Sequence, residues 1–270
     1  MIRLDPRLVP LRMTNPEQSG ALKLNRLSLK SCLTRILDAV LPAMCSYCRS
    51  PVGDSGIPYF CHACWSDFSA VQGPVCPSCG RPFGSPEALT DSPEHECLSC
   101  RKEPPHFDQA LAAGLFEGPL REAIHLYKYR PLRSLGKHLS HWMAEQVRMT
   151  VPLDMAIPVP LHKKRLRLRG FNQALLLAHG VSERFMIPLN YDNLVRVRST
   201  RPQVELSGRE RAENVRGAFR VNDPSKISGK KILLIDDVFT TGATMNECAK
   251  VLKDAGAQAV TVLTLARTTE

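Results

Sequence analysis

Thirteen residues constrain this chain more than any others: Ile232-Leu233-Leu234-Ile235-Asp236-Asp237-Val238-Phe239-Thr240-Thr241-Gly242-Ala243-Thr244. Four apolar residues in a row fit a strand buried on both faces. Asp236 and Asp237 stand at its exit, a small hydroxyl-rich turn follows, and a helical pattern begins. Carboxylates in that place accept hydrogen bonds from vicinal sugar hydroxyls or approach a magnesium ion. The 240–244 turn sets backbone N–H groups and threonine hydroxyls at a helix N-terminus, where the macrodipole favours an anion. Gly242 permits close backbone approach. A sugar 5′-phosphate with free 2′ and 3′ hydroxyls fits the set. Two aspartates ending a strand, or threonine capping a helix, would explain each half of the run but not their conjunction. Nowhere does the chain carry Gly-x-x-x-x-Gly-Lys-[Ser/Thr], which argues against a P-loop nucleotide triphosphatase.

Strand and helix patterns alternate around this segment. Residues 110–116, 155–159, 194–197 and 260–265 read as strands. Residues 119–129, 132–147, 172–185 and 245–255 read as helices, the last closed by Gly256 as a left-handed cap. Alternation of this kind predicts an α/β fold with a mostly parallel sheet covered by helices, its ligand lying beyond the carboxyl ends of the strands. The length of 270 residues suits two domains, and 43% hydrophobic residues suffice for a core. A net charge of +10 favours anionic partners, whether phosphates, nucleic acid or an anionic membrane face. No apolar run is long enough to span a bilayer. Prolines and charges stand near the N-terminus where a signal peptide needs an apolar stretch, so a cytoplasmic protein is expected.

Eight of the ten cysteines form four Cys-x-x-Cys pairs: Cys45/Cys48, Cys61/Cys64, Cys76/Cys79 and Cys97/Cys100. In a cytosolic chain this spacing argues for metal binding, with redox-active dithiols as the alternative. Four thiolates complete a tetrahedral zinc site, so eight predict two structural Zn²⁺ ions. Grouping neighbouring pairs is simplest, although interleaving satisfies the same spacing. The region is rich in Pro, Gly and Ser and poor in large apolar residues, as befits a metal-held module. His62 and His95 read as bystanders, Cys32 and Cys248 as buried thiols on helices, and Trp65 as packing for the module. Ahead of it, Leu29, Leu33, Ile36, Leu37, Val40 and Leu41 share a helical face closed by Pro42. Residues 1–27 are basic and aperiodic, a disordered extension. The expected divisions are therefore 1–27, 28–105 and 106–270.

Two further stretches bear on the site. His162-Lys163-Lys164-Arg165-Leu166-Arg167-Leu168-Arg169 carries five formal positive charges in eight residues. Alone, it reads as a solvated basic turn or a nucleic-acid patch. Following strand 155–159, it leaves the same sheet edge as Asp236 and can meet a diphosphate. Residues 198–216 are rich in arginine and poor in large apolar groups.

The 232–244 run resembles the phosphoribosyl diphosphate (PRPP) motif of type I phosphoribosyltransferases. The wider set resembles the ComF/GntX family, over roughly residues 30–268. It comprises the cysteine-rich front, His125-Leu126-Tyr127-Lys128-Tyr129-Arg130, Ile157-Pro158-Val159-Pro160-Leu161-His162, Arg169-Gly170-Phe171-Asn172-Gln173, Thr200-Arg201-Pro202-Gln203 with Leu206-Ser207, and Arg209-Glu210-Arg211 with Asn214-Val215-Arg216-Gly217-Ala218-Phe219. The family usually lacks the extension ahead of residue 28. The resemblance implies a double zinc ribbon before a type I phosphoribosyltransferase-like sheet. It implies PRPP with Mg²⁺ on Asp236, Asp237, Thr240, Thr241, Gly242, Ala243 and Thr244. It assigns a pyrophosphate loop with Leu161, His162, Lys163 and Arg165, and a flexible closing loop with Thr200, Gln203, Arg209 and Arg211. The implied chemistry is loss of diphosphate from C1 of the ribose and attack there by a nucleophile, with Asp237 as the candidate proton acceptor. The acceptor is not named by any residue. A role in competence is implied, with single-stranded DNA and competence helicase-type proteins as partners. A PRPP sensor or nucleic-acid-binding protein that catalyses nothing is the other reading.

Overall fold

A computed structural model describes residues 42–53, 57–84, 95–130, 132–201 and 208–269, with 208 and 209 described by their backbone alone. The helix expected over 29–41 and the extension at 1–27 lie outside the described residues. Ala43–Glu270 forms one compact unit.

Its centre is a four-stranded parallel sheet in the order β1 (Gln109–Leu115), β6 (Ala259–Arg267), β5 (Lys231–Phe239), β2 (Met155–Pro158). A parallel bridge between Ala156 and Leu189 extends it past β2. The two central strands are apolar on both sides, as parallel strands under two helical layers must be. Alternation assigns the faces: Leu233, Ile235, Leu263 and Leu265 join one core cluster, and Ile232, Leu234, Val260 and Val262 the other.

Against the first face pack α3 (Gly118–Tyr129), α4 (Arg133–Glu145) and α6 (Gln173–Phe185). Helix α3 starts with Pro119 in its first turn and buries Leu120, Ala123, Ile124 and Tyr127, spaced by three and four. Helix α6 is capped by Asn172, whose Oδ1 accepts from the Ala174 N–H at 3.1 Å. The second face holds α8 (Ala243–Asp254), followed by Gly256 at φ 90°.

Three segments differ from expectation. Strand β5 does not stop at Ile235; it continues through both aspartates to Phe239, because Asp236, Val238 and Phe239 still pair with β6. Residues 194–197 do not join the parallel sheet. Leu194–Arg196 (β3) pairs antiparallel with Phe219–Val221 (β4) as a separate two-stranded sheet. The basic segment is not an open turn: Lys163–Arg169 forms helix α5. Lys, Arg and Leu are good helix formers, the His162 ring nitrogen accepts from the Lys164 N–H at 3.3 Å, and Gly170 closes the helix at φ 75°. Between β3 and β4, Gly208–Val215 is helical (α7).

The cysteine module sits on the free edge of β1. Helices α1 (His62–Ser66) and α2 (Leu98–Lys102) each carry the second cysteine of a pair. Residues 69–71 hydrogen-bond β1 from outside: Leu115 N–H donates to Ser69 at 2.8 Å, and Val71 N–H donates to Ala113 at 3.1 Å. Ala110 N–H donates to Ser78 at 2.7 Å. Cys45, Cys61 and Cys64 belong to the first core cluster, and Cys76, Cys79, Cys97 and Cys100 to the second. The module thus clasps the edge strand from both faces.

Helices α4 and α6 cross where Gly180 leaves no room: a Cβ there would fall 2.0 Å from Ser140 Oγ and 2.7 Å from its Cβ. Gly180→Ala is expected to lower unfolding stability by about 1–3 kcal/mol in a urea titration, and an unchanged midpoint would contradict this crossing.

Candidate PRPP site and zinc centres

Strands β2 and β5 are neighbours, so the segments that follow them leave side by side. Val159 N–H donates to Ile235 at 2.8 Å, which places residues 160–163 next to Asp236. Asn172 Nδ2 donates to Val159 at 3.1 Å and ties the start of α6 to the same corner.

Asp236 keeps some solvent exposure yet is surrounded by protein. That burial, with the Asp237 carboxylate beside it, pushes its carboxyl up to about 7. Its Oδ1 accepts from the Asp237 N–H at 2.8 Å. Asp237 is buried and meets Lys128 Nζ at 3.1 Å. Tyr127 is wholly buried behind it and donates to the Gln173 carbonyl at 2.9 Å. Burial, then the Asp237 charge, pushes its phenol above the usual tyrosine range. The C-terminal end of α3 therefore supplies a cation to the acidic strand. Lys128 is a site residue that the sequence pattern does not mark beyond its place in the run Lys128-Tyr129-Arg130.

Beyond Phe239, Thr240 is half-buried, Thr241 exposed, and Gly242 buried at φ 78°, a left-handed conformation suited to glycine. Ala243 and Thr244 open α8, so the helix's positive end stands directly behind the loop. The Thr241 hydroxyl accepts from the Ala243 N–H at 3.4 Å.

On the basic side, Leu161 and His162 are half-buried and Lys163 exposed. Arg165 reaches the far segment, donating to the carbonyls of Thr200 at 3.2 Å and Arg201 at 2.9 Å. Arg201 N–H donates to Asn214 Oδ1 at 3.1 Å, and Asn214 Nδ2 returns a bond to the Arg201 carbonyl at 3.1 Å. Thr200 and Arg211 are thus near α5 or on α7, whereas Gln203 lies outside the described residues and Arg209 is placed by backbone only. Arg196 is a second residue missed in the sequence. It is buried, donates to the Thr200 hydroxyl, and leaves its Nε without a partner. Burial draws its guanidinium down, Arg165 adds to this, and Asp236 opposes it. His162, Lys163, Arg196, Arg220 and Asn222 line a cleft of about 430 Å³ between α5 and the β3–β4 pair, with no carboxylate in its lining.

The eight paired cysteines fall into two clusters, Cys45/Cys48/Cys61/Cys64 and Cys76/Cys79/Cys97/Cys100, each with its sulfurs within 4.8 Å of one another. This settles the pairing in favour of neighbours. Cys48 and Cys61 sulfurs are 3.6 Å apart, and those of Cys79 and Cys97 3.7 Å. Tetrahedral zinc with Zn–S near 2.3 Å needs sulfurs about 3.8 Å apart, so both clusters fit Zn²⁺. The Cys48 thiol is drawn down to about 6 by the backbone and side chain of Ser50, toward the thiolate that binds metal. His62 and His95 belong to neither cluster.

A family model described as a double zinc ribbon domain matches residues 36–101, and one described as a phosphoribosyl transferase domain matches residues 172–270. The chain is 33% identical over 236 residues to "DNA utilization protein YhgH" of Escherichia coli (strain K12), covering 84% of this chain and 98% of that protein. It is 31% identical over 234 residues to "Competence protein F" of Haemophilus influenzae, covering 83% and 96%. The chain belongs to the ComF/GntX family. A third relative, "Competence protein ComFC" of Bacillus subtilis, is 26% identical over 217 residues, 77% of this chain and 83% of that one. As a ComF-family protein it joins a double zinc ribbon with two four-cysteine sites to a phosphoribosyltransferase-like parallel sheet. No helix among the described residues is long and apolar enough to cross a membrane.

The Asp236 carboxyl has a stability consequence. Its folded value near 7 lies above the ordinary 3.8. The folded state then holds a proton that the unfolded chain has lost, so stability falls as pH rises from about 4 to about 7. Asp236→Asn removes that loss. Its thermal midpoint is expected to exceed wild type increasingly across this window and level off above it; a constant difference at all pH values would refute the shift.

Proposed function

We propose that this ComF-family protein binds PRPP with Mg²⁺ at the carboxyl end of β5 and handles single-stranded DNA in the cytoplasm. One observation carries the PRPP reading: an acidic pair with a lysine counter-ion lies near the carboxyl end of β5, its second member two residues before Phe239, and the strand runs on into a left-handed glycine turn and the positive end of α8. In this reading Asp236 and Asp237 accept from the ribose hydroxyls or hold Mg²⁺. The loop of Thr240, Thr241, Gly242, Ala243 and Thr244 takes the 5′-phosphate. Leu161, His162, Lys163 and Arg165 face the diphosphate, and Thr200, Gln203, Arg209 and Arg211 belong to the segment that closes over it. Mg²⁺ supplies charge neutralisation on the departing diphosphate when bound. Asp237, held against Lys128, is the candidate proton acceptor for an attacking nucleophile, should the bound PRPP be turned over.

Asp236→Asn combined with Asp237→Asn is expected to weaken PRPP binding by about a hundredfold or more in calorimetry with Mg²⁺ present. Equal affinity in the variant would remove the site assignment.

The DNA reading is supported by the relatives' names and by α5. This helix shows exposed Leu168 and Leu166 among its cations, and Arg169 lies 5.8 Å from the ring of exposed Tyr129. Cations interleaved with an aromatic suit a single strand, whose phosphates and bases need both. Lys164 and Arg167 are exposed and outside the proposed diphosphate set. Lys164→Glu with Arg167→Glu should weaken oligo-dT binding and flatten the slope of log affinity against log salt by about 1–2. A slope equal to wild type would exclude α5 as the contact.

A further inference from the structure

Arg267, the last residue of β6, is 1% exposed and among the largest fully buried side chains. No carboxylate pairs with it among the described residues. A buried cation without a counter-charge is costly. Its guanidinium donates to the carbonyl of Cys79, a ligand of the second four-sulfur cluster. Four thiolates around one Zn²⁺ leave a net charge of about −2, so the cluster, when loaded, would supply the missing counter-charge.

The same guanidinium lies 5.1 Å from the ring centre of Phe239. Phe239 is opposite Arg267 in the β5–β6 register and is the last residue before the phosphate loop. Gly242 rests on the tip of that ring, where an added Cβ would fall 2.6 Å from Cζ. Phe107 packs edge-on against the ring at 6.0 Å. The adjacent His106 donates its N–H to Asn246 Oδ1, in the first turn of α8, at 2.6 Å. His106 and Phe107 come four and five residues after the end of α2, which carries Cys100. The second ribbon half is also seated without slack, since a Cβ on Gly80 would fall 2.4 Å from the Ala110 carbonyl oxygen.

We propose that Arg267 and Phe239 are positioning residues for the 240–244 loop, and that the second zinc cluster sets the loop's geometry through them. The ligand part of this inference rests on the PRPP reading; the mechanical part does not. It is tested on the full chain loaded with zinc, by amide hydrogen exchange and metal content together with PRPP calorimetry. Arg267→Met is expected to keep two zinc ions while exchange at 240–244 rises about tenfold and PRPP affinity falls about tenfold. Arg267→Lys keeps the charge without the planar stack and should fall between. Loss of the second cluster in Cys97→Ser with Cys100→Ser should loosen the loop equally, and adding Arg267→Met should loosen it no further. If Arg267→Met does not fold, Phe239→Leu tests the same contact with cluster and arginine intact and should loosen the loop similarly. Unchanged loop exchange in these variants would overturn the proposal, as would a rise shared equally by Arg133–Glu145 on the opposite face. Wild-type protein that binds no PRPP, but whose loop responds to these changes, would defeat the PRPP reading and leave the positioning role standing.

Discussion

Parallel pairing of β5 between β2 and β6 is the constraint on which the rest depends. It buries both faces of β5, which requires the unbroken apolar run of 232–235. It also fixes what meets what at the carboxyl edge. Because β2 lies on one side of β5, the basic α5 segment emerges beside Asp236. Because β6 lies on the other, Arg267 lies opposite Phe239. The acidic pair, the 240–244 loop and the basic helix therefore come together through strand order and need no long loop to find one another.

The same sheet explains the placement of the cysteine module. A parallel sheet of four strands leaves β1 at an edge, and an unpaired edge invites pairing with another chain. The ribbon supplies the pairing groups from residues 69–71 and Ser78, and its clusters grip the sheet from both faces. A segment with few large apolar residues cannot hold such a grip by packing alone. Its Phe60, Trp65 and Phe68 make one aromatic contact set with Trp142 of α4. Metal coordination would supply the remaining rigidity.

Legibility in the sequence followed the length and period of each pattern. Helices α3, α4, α6 and α8 each repeat apolar residues over three turns, and strands β5 and β6 are continuous, so all six were readable. The extent of β5 was not, since two aspartates look like an end although Val238 and Phe239 go on pairing. Helix α5 has seven residues and no buried stripe, so nothing periodic announced it. Strands β3 and β4 have three residues each, too few to tell a separate antiparallel pair from members of the main sheet. The zinc pairing was open because spacing along the chain does not report distance in space. The Arg267–Cys79 contact spans 188 positions, and no local signal marks it.

Charge within the site is divided, and each half costs stability as it stands. Asp236 and Asp237 adjoin on one strand with a single lysine between them and neutrality. Within electrostatic reach of Asp236, Arg196 is buried with an unbonded Nε, and Arg165 adds a like charge nearby. These two excesses lie too close to the same edge to be independent, yet they do not form a direct ion pair among the described residues. A purely anionic ligand would relieve the basic half and worsen the acidic one. A purely cationic one would do the reverse. A ligand that brings hydroxyl donors or a metal ion to the aspartates, and phosphate oxygens to the arginines, offsets both at once. That requirement describes a phosphorylated sugar with its metal more closely than it describes nucleic acid alone, which is why we place the proposed ribose-phosphate site at the β5 edge and the proposed single-strand contact on the outward side of α5.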